Sequence, residues 1–308
     1  IAERQSSGQG LATPEFSVLL AYTKTSNVAE MERSNLPDDP YLLPDLMSYF
    51  PHRLRTQYAD DIRSHRLRRE IVSTVVGNQM VNMSGISFDH RVGEETGVGV
   101  VEVTRAWVAA RDILDMASLW HQVDALTGQV KPDVQVDLFL ELRSMAERAT
   151  LWLLRHRKLP LDIRTAVDEF RPGMQALVEM EGTLRGKLRD EGFALEASRL
   201  AAGVPEMLAQ RSVQWRLRHT CFDIVELARS TGHSLTHVST AYWHMFDSLD
   251  LLWLWEAVGK LPRSDRWQTQ ARSALRDDLV GALRDLAEDS LQAGGVHKWQ
   301  AANERLVQ

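Results

Sequence analysis

Apolar positions return every three or four residues through most of this chain, the period of an α-helix rather than a strand. Residues 59–83 read as one long helix. Leu67, Ile71 and Val75 form one row, Val72, Val76 and Met80 an adjacent one, and Arg66, Arg69 and Ser73 project from the opposite side. Residues 236–258 predict a more apolar helix. Tyr242, Met245, Leu249 and Leu252 share a stripe that Phe246, Trp253, Leu254 and Trp255 widen, so this helix is expected near the centre of its lobe. Residues 264–291 are amphipathic again, with Leu275, Leu279, Leu283 and Leu286 facing one way. The one strand candidate, Val98–Val103, is interrupted by Gly99, and Glu102–Met116 runs on at helical spacing.

Helix starts are marked at Thr13-Pro14-Glu15, Asp39-Pro40, Val204-Pro205-Glu206 and Ser264-Asp265. At each, a short polar cap, a proline in the first turn or an acid suits the positive helix end. Breaks fall at Leu36-Pro37, Phe50-Pro51, Gly85, Gly128 to Pro132, Leu159-Pro160, Pro172-Gly173, Gly203 and Leu261-Pro262. The pattern predicts an all-α, multi-helix bundle: a loose segment at 1–10, a first helical lobe at 11–160 and a second at 161–308. No repeat of fixed period points to a solenoid.

Composition narrows the picture. The chain has 308 residues, 44% of them hydrophobic and 25% charged, which suits a folded protein with a sizeable core. Nine tryptophans are expected mostly in cores or interfaces. The net charge of −6 argues against general nucleic-acid binding, which requires a basic surface. The apolar runs are too short to span a bilayer, and no basic segment followed by an apolar stretch marks a secretion signal. The single cysteine, Cys221, suits a reducing compartment. The reading is a soluble, cytoplasmic protein, and a start at Ile1 suggests a piece of a longer polypeptide.

Candidate chemistry is sparse. Gly8-Gln9-Gly10 and Gly97-Val98-Gly99 lack the strand and third glycine of a dinucleotide site. Gly182 to Lys187 is too short for a phosphate loop, and Leu188 stands where a hydroxyl must bind magnesium. His233 and His237 could share a helix face, with His244 two turns on, and His90 and Glu94 make a similar pair; neither set supplies four ligands. Asp38-Asp39 and Glu94-Glu95 are paired carboxylates without a visible cleft, and Asp39 reads better as a helix cap. Cys221 reads as a buried structural thiol. The strongest charge feature is Arg63-Ser64-His65-Arg66-Leu67-Arg68-Arg69. It reads either as a solvated helix back or as a grip for an acidic partner, with Arg63, His65, Arg66, Arg68 and Arg69 as the contact residues.

Several stretches in order carry a resemblance. They are Thr13-Pro14-Glu15-Phe16 running to Thr23-Lys24, Leu36-Pro37-Asp38-Asp39-Pro40-Tyr41, Tyr49-Phe50-Pro51, and His65 to Ile71. Asn78 with Met80-Val81-Asn82, Glu94 to Gly97, Arg266-Trp267-Gln268 and Ala271 to Leu279 complete the set. Together they resemble the C-terminal helical region of the large-subunit, NAD-dependent glutamate dehydrogenases of bacteria. The match is dense through residue 97, sparser from about 130 to 230 and clear again near the end.

The resemblance implies a parent enzyme that converts L-glutamate to 2-oxoglutarate and ammonium while reducing NAD, working in the cytoplasm as a homo-oligomer. Its catalytic residues and dinucleotide fold lie outside the matched region, so no catalytic, cofactor or metal residue is expected here. The expected partners are the catalytic domain of the same polypeptide and other subunits, with no membrane and no nucleic acid. The expected role is a scaffold that is inactive alone. The alternatives are a regulatory helical module binding a small effector and, more remotely, a nucleic-acid or protein adaptor.

Overall fold

A computed structural model describes residue 4 and residues 6–179, 186–262 and 264–303. Among them every regular element is a helix. Helix α1 (Thr13–Glu32) leads through short 3₁₀ turns, Leu36–Asp38 and Pro40–Leu42, to α2 (Leu43–Ser48), α3 (His52–Gln57) and α4 (Ala59–Arg63). Then come α5 (Arg68–Ser84), α6 (Phe88–Thr96), α7 (Val100–Ile113), α8 (Met116–Asp124), α9 (Pro132–His156) and α10 (Ile163–Glu179). The chain continues as α11 (Gly186–Ala201), α12 (Glu206–Val213), a 3₁₀ turn Arg218–Thr220, α13 (Cys221–Thr231), α14 (Leu235–Ser248), α15 (Leu251–Lys260), α16 (Arg266–Gln292) and α17 (Val296–Ala302).

These helices form two compact units interleaved in sequence. The first comprises residues 1–117 and 146–167, the second residues 118–145 and 168–308. The boundaries fall inside α8, α9 and α10.

In the first unit α1 packs along α5. Gly77 makes this approach close, since a Cβ there would stand 2.9 Å from Met31 Cε and 3.3 Å from Val28 Cγ2. Val72, Val76 and Met80 of α5 are buried as the periodicity predicts, each contributing about 2 kcal/mol of apolar transfer. The sequence between α4 and α5 departs from the single helix expected over 59–83. Ser64 Oγ donates to the Asp60 carbonyl, and the Leu67 N–H donates to His65 Nδ1. These local side-chain bonds give the backbone an alternative to the helix. The interruption resets the helical phase, leaving Leu67 54% exposed and Ser73 only 1% exposed.

Helix α7 is the centre of the first unit: Val103, Ala106, Trp107, Val108, Ala109 and Ala110 are all buried. Trp107 Nε1 donates to Ser84 Oγ at 2.8 Å, satisfying its one polar atom. Residues 100–103, offered above as strand, are its first turn. Asp115, at φ 53°, separates α7 from α8. At the N-terminus, Glu15 rather than Thr13 makes the cap: its carboxylate accepts the Ala12 N–H at 2.7 Å, so the helix begins one residue earlier than the Thr13 cap implies.

The second unit is built around α13, α14 and the later half of α16. Phe170 and Phe222 pack with ring centroids 5.2 Å apart, and Trp215, Tyr242 and Met245 are fully buried. The helix expected over 236–258 is broken at Asp250, whose φ of 47° separates α14 from α15. Helix α14 is central as expected, whereas Trp253 of α15 is exposed. In α16 the buried apolar positions are Val280, Leu283, Ala287 and Leu291, while Leu275 lies outside: its first half runs beyond the core. Its cap is Asp265, which accepts the Gln268 N–H at 2.9 Å, in place of Ser264.

Candidate functional site

The basic run separates into two jobs. Arg69 donates through Nη2 to the carbonyls of Glu32 and Ser34, both at 2.8 Å, and through Nη1 to Asp38. It thereby caps the end of α1 and ties it to α5. Arg68 joins Asp38 at 2.9 Å. Arg63, Arg66 and Leu67 face solvent; Arg63 reaches only the exposed Asp60, one turn back at 2.6 Å. The ring of His65 lies edge-on to Phe50 at 5.8 Å.

Between this run and the Leu36–Tyr41 turn lies a groove of about 240 Å3. Leu42, Leu46 and Val72 line it, and Asp38, Asp39, Arg63 and Arg68 provide its charged lining. Tyr49, Leu54, Tyr58 and Leu67 are exposed in the same stretch of chain, and in α3 and α4 Ile62 alone is buried. Residues 49–69 hold six arginines and two aspartates, a local balance of +4 in a chain of −6.

One side of the groove is fixed by ion pairs that sequence reasoning missed. Arg105 donates to Asp39 at 3.1 Å and Asn35 at 2.7 Å, and lies 3.5 Å from Glu102. Arg111 meets Asp45 through two bonds of 2.8 and 3.1 Å, and also reaches Gln79 and Asp112. Burial opposes the Arg111 charge, but the Asp112 and Asp45 carboxylates hold its pKa above the ordinary arginine range. Tyr41 closes the network by donating to Asp112 at 2.7 Å. The signal was available: two arginines stand among the apolar residues Val103, Ala106 to Ala110 and Ile113 of α7, and such charges persist only when paired. Asp39 also caps the Pro40–Leu42 turn by accepting the Tyr41 N–H, as the sequence suggested.

The other candidates sit apart. Glu95 pairs with Arg155 at 2.6 Å. His233 and His237 meet edge to face at 5.1 Å, whereas His244 meets His297 at 5.0 Å, on a different helix. Among the described residues no group of three or more His, Cys, Asp or Glu is arranged around a metal position. Cys221 opens α13, and burial pushes its thiol up to about 11. A small cavity lined by Leu177, Gln214, Arg218, Cys221 and Ser239 measures about 30 Å3, room for a single water. Gly182 to Arg185 lie outside the described residues.

Gly97 and Gly99 join helix α6 to helix α7 with no strand before them, so the residues there do not fit a dinucleotide. No hydride-transfer step can be routed through them. No helix among the described residues is long and apolar enough to cross a membrane.

Comparison with known proteins gives a consistent result. The family described as "Glutamate dehydrogenase, C-terminal" matches residues 8–308. The NAD-specific glutamate dehydrogenase of Pseudomonas aeruginosa is 38% identical over 293 residues, covering 95% of this chain and 18% of that protein. The Mycobacterium tuberculosis protein of the same name is 35% identical over 295 residues, and that of Halomonas elongata 34% over 280. The chain spans 17 to 18% of the length of these relatives.

Proposed function

The chain belongs to the glutamate dehydrogenase C-terminal family, and on that premise we propose that it is the helical scaffold of an NAD-dependent glutamate dehydrogenase. The parent enzyme oxidises L-glutamate with NAD and water to 2-oxoglutarate, ammonium and NADH, in the cytoplasm and as a homo-oligomer. The catalytic domain of the same polypeptide binds glutamate and NAD; this region supplies no catalytic residue and is inactive alone. It braces that domain and contacts neighbouring subunits through the arginine-rich stretch at 63–69.

The observation that carries the reading is the share of length. More than four-fifths of each relative lies outside the matched region, ample chain for the dinucleotide fold and substrate groups not seen here. The clamped turn at 36–41 and the outward arginines support the scaffold role, because a rigid surface with exposed charge is suited to docking.

The test is to mix the chain with the remaining part of the parent enzyme and follow glutamate-dependent NADH formation together with binding. Binding with a recovered rate is expected. Two folded pieces that neither bind nor change the rate overturn the scaffold.

A further inference from the structure

We propose that the groove beside Arg63 and Arg68 receives the exposed face of α9 from a second copy of this chain, an inference that rests on the scaffold reading and names its subunit contact. Two surfaces on the page fit one another.

The first is the groove with its surroundings. Its floor is aliphatic, its charged lining is Arg63 and Arg68 with Asp38 and Asp39, and Tyr49, 59% exposed, stands in the adjoining stretch together with Tyr58 and Leu67. Arginine and tyrosine around apolar ground is the composition of contact surfaces. The balance of +4 over residues 49–69 asks for an acidic occupant, and the rest of this chain carries −10.

The second surface is the opening of α9. Asp133, Val136, Asp137 and Leu140 stand at i, i+3, i+4 and i+7 and therefore share one face. Val136 is 53% and Leu140 50% exposed, whereas Leu138 and Leu142 on the other side are buried in the second unit. Residues 132–141 contain three acids and no base. Glu141 is already taken by Arg199 at 2.5 Å and Arg216 at 3.4 Å. Asp133 and Asp137 are the acids beside the two outward aliphatic residues.

An apolar helix face flanked by charge is the standard occupant of such a groove, read as anchors spaced one and two turns apart. An apolar space of about 150 Å3 admits benzene, so about 240 Å3 admits the Val136 and Leu140 side chains. Asp133 and Asp137 then come toward Arg63, the lining arginine that Asp38 does not hold. Each copy offers both halves, so the contact is built from one chain alone.

The experiment is sedimentation velocity of the 308-residue chain over a dilution series at low and high salt. The wild-type chain is expected to self-associate, less so at high salt. Arg63→Asp with Arg66→Asp takes the balance of residues 49–69 from +4 to 0 and sets acids against acids at the contact, and Asp133→Arg with Asp137→Arg sets bases against bases; each variant alone is expected to be monomeric. Mixing the two variants restores complementary pairs in both directions and is expected to restore association.

All four positions are exposed, and circular dichroism checks folding; Arg66→Glu and Asp137→Lys are gentler single versions with the same expected order. A wild-type chain that stays monomeric, variants that associate like it, or a mixture that does not re-associate overturns the contact. If that happens while the chain still binds the remaining part of the enzyme and restores NADH formation, the scaffold reading stands; loss of both overturns both.

Discussion

Arg111 and Asp45 face each other through two hydrogen bonds of 2.8 and 3.1 Å, with both side chains more than nine-tenths buried. The pair joins the central helix α7 to α2 and so holds one wall of the groove. Asp45→Ala leaves a buried guanidinium with Asp112 as its one remaining carboxylate partner and is expected to cost about 3 kcal/mol in urea unfolding. The double variant Arg111→Met with Asp45→Leu removes both buried charges, leaving the part-exposed Asp112 with Tyr41, and is expected to cost less than the single one. A double variant as damaging as Asp45→Ala would show that packing, not charge, sets the penalty.

Two helical glycines predict opposite signs. A Cβ on Gly281 meets nothing within 4 Å, so Gly281→Ala is expected to raise stability by about 1 kcal/mol through helix propensity. A Cβ on Gly173 stands 2.8 Å from Val225 Cγ2 and 3.2 Å from Cγ1. Valine is stiff and cannot swing aside, so Gly173→Ala is expected to cost about 1–3 kcal/mol. Thermal melts of the two variants on either side of wild type check this; a Gly173→Ala melt above wild type would mean that α10 and α13 can separate cheaply.

Asp162 precedes α10 and accepts the Thr165 N–H at 2.8 Å. Asp162→Ala is expected to cost about 1 kcal/mol. The Thr165 backbone bond holds the Asp162 carboxyl below its ordinary range. A lowered folded pKa means that the cap's contribution is fully present above the unfolded pKa, about 3.9, and is lost as pH falls through the folded one. The gap between wild type and variant is therefore expected to narrow in acid; a gap that is constant with pH would remove the carboxylate from the explanation.

Cys221 and Tyr242 predict the alkaline limb. Burial raises the thiol from 9.0 to about 11 and raises the Tyr242 hydroxyl well above its ordinary value, with the Asp223 charge adding to the latter. Groups with raised folded pKa values stabilise below their unfolded pKa and stop doing so as pH climbs through the folded one. Unfolding free energy is expected to fall between pH 9 and 11, and to fall less in Cys221→Ala. At neutral pH a thiol reagent should label Cys221 far more slowly in the folded chain than in urea; equal rates would place the thiol in solvent.

The all-helical class was legible because a period of 3.6 runs the length of the chain. Helix α16 shows it, expected over 264–291 and found at Arg266–Gln292. What escaped were breaks without glycine or proline. Ser64 to Leu67 turns on side-chain hydrogen bonds, and Asp115 and Asp250 turn by positive φ, a conformation aspartate tolerates and periodicity does not register. Each break rotates the next helix, which is why Ser73 and Leu67 exchanged sides and Trp253 came out. The arginine run was visible as charge, yet its division into the inward Arg69 and the outward Arg63 and Arg66 depends on Asp38, thirty residues away and brought close only by the fold.

The interleaving of the two units bears on how the protein is made. The first unit takes residues 146–167 as well as 1–117. A nascent chain that has emerged as far as residue 117 therefore holds an unfinished layer: Glu102, which accepts the Leu161 N–H at 3.1 Å, and Glu95, the partner of Arg155, still await their partners. Translation must pass through the inserted stretch of the second unit before the first can close, so a ribosome stalled there exposes both units to proteases at once.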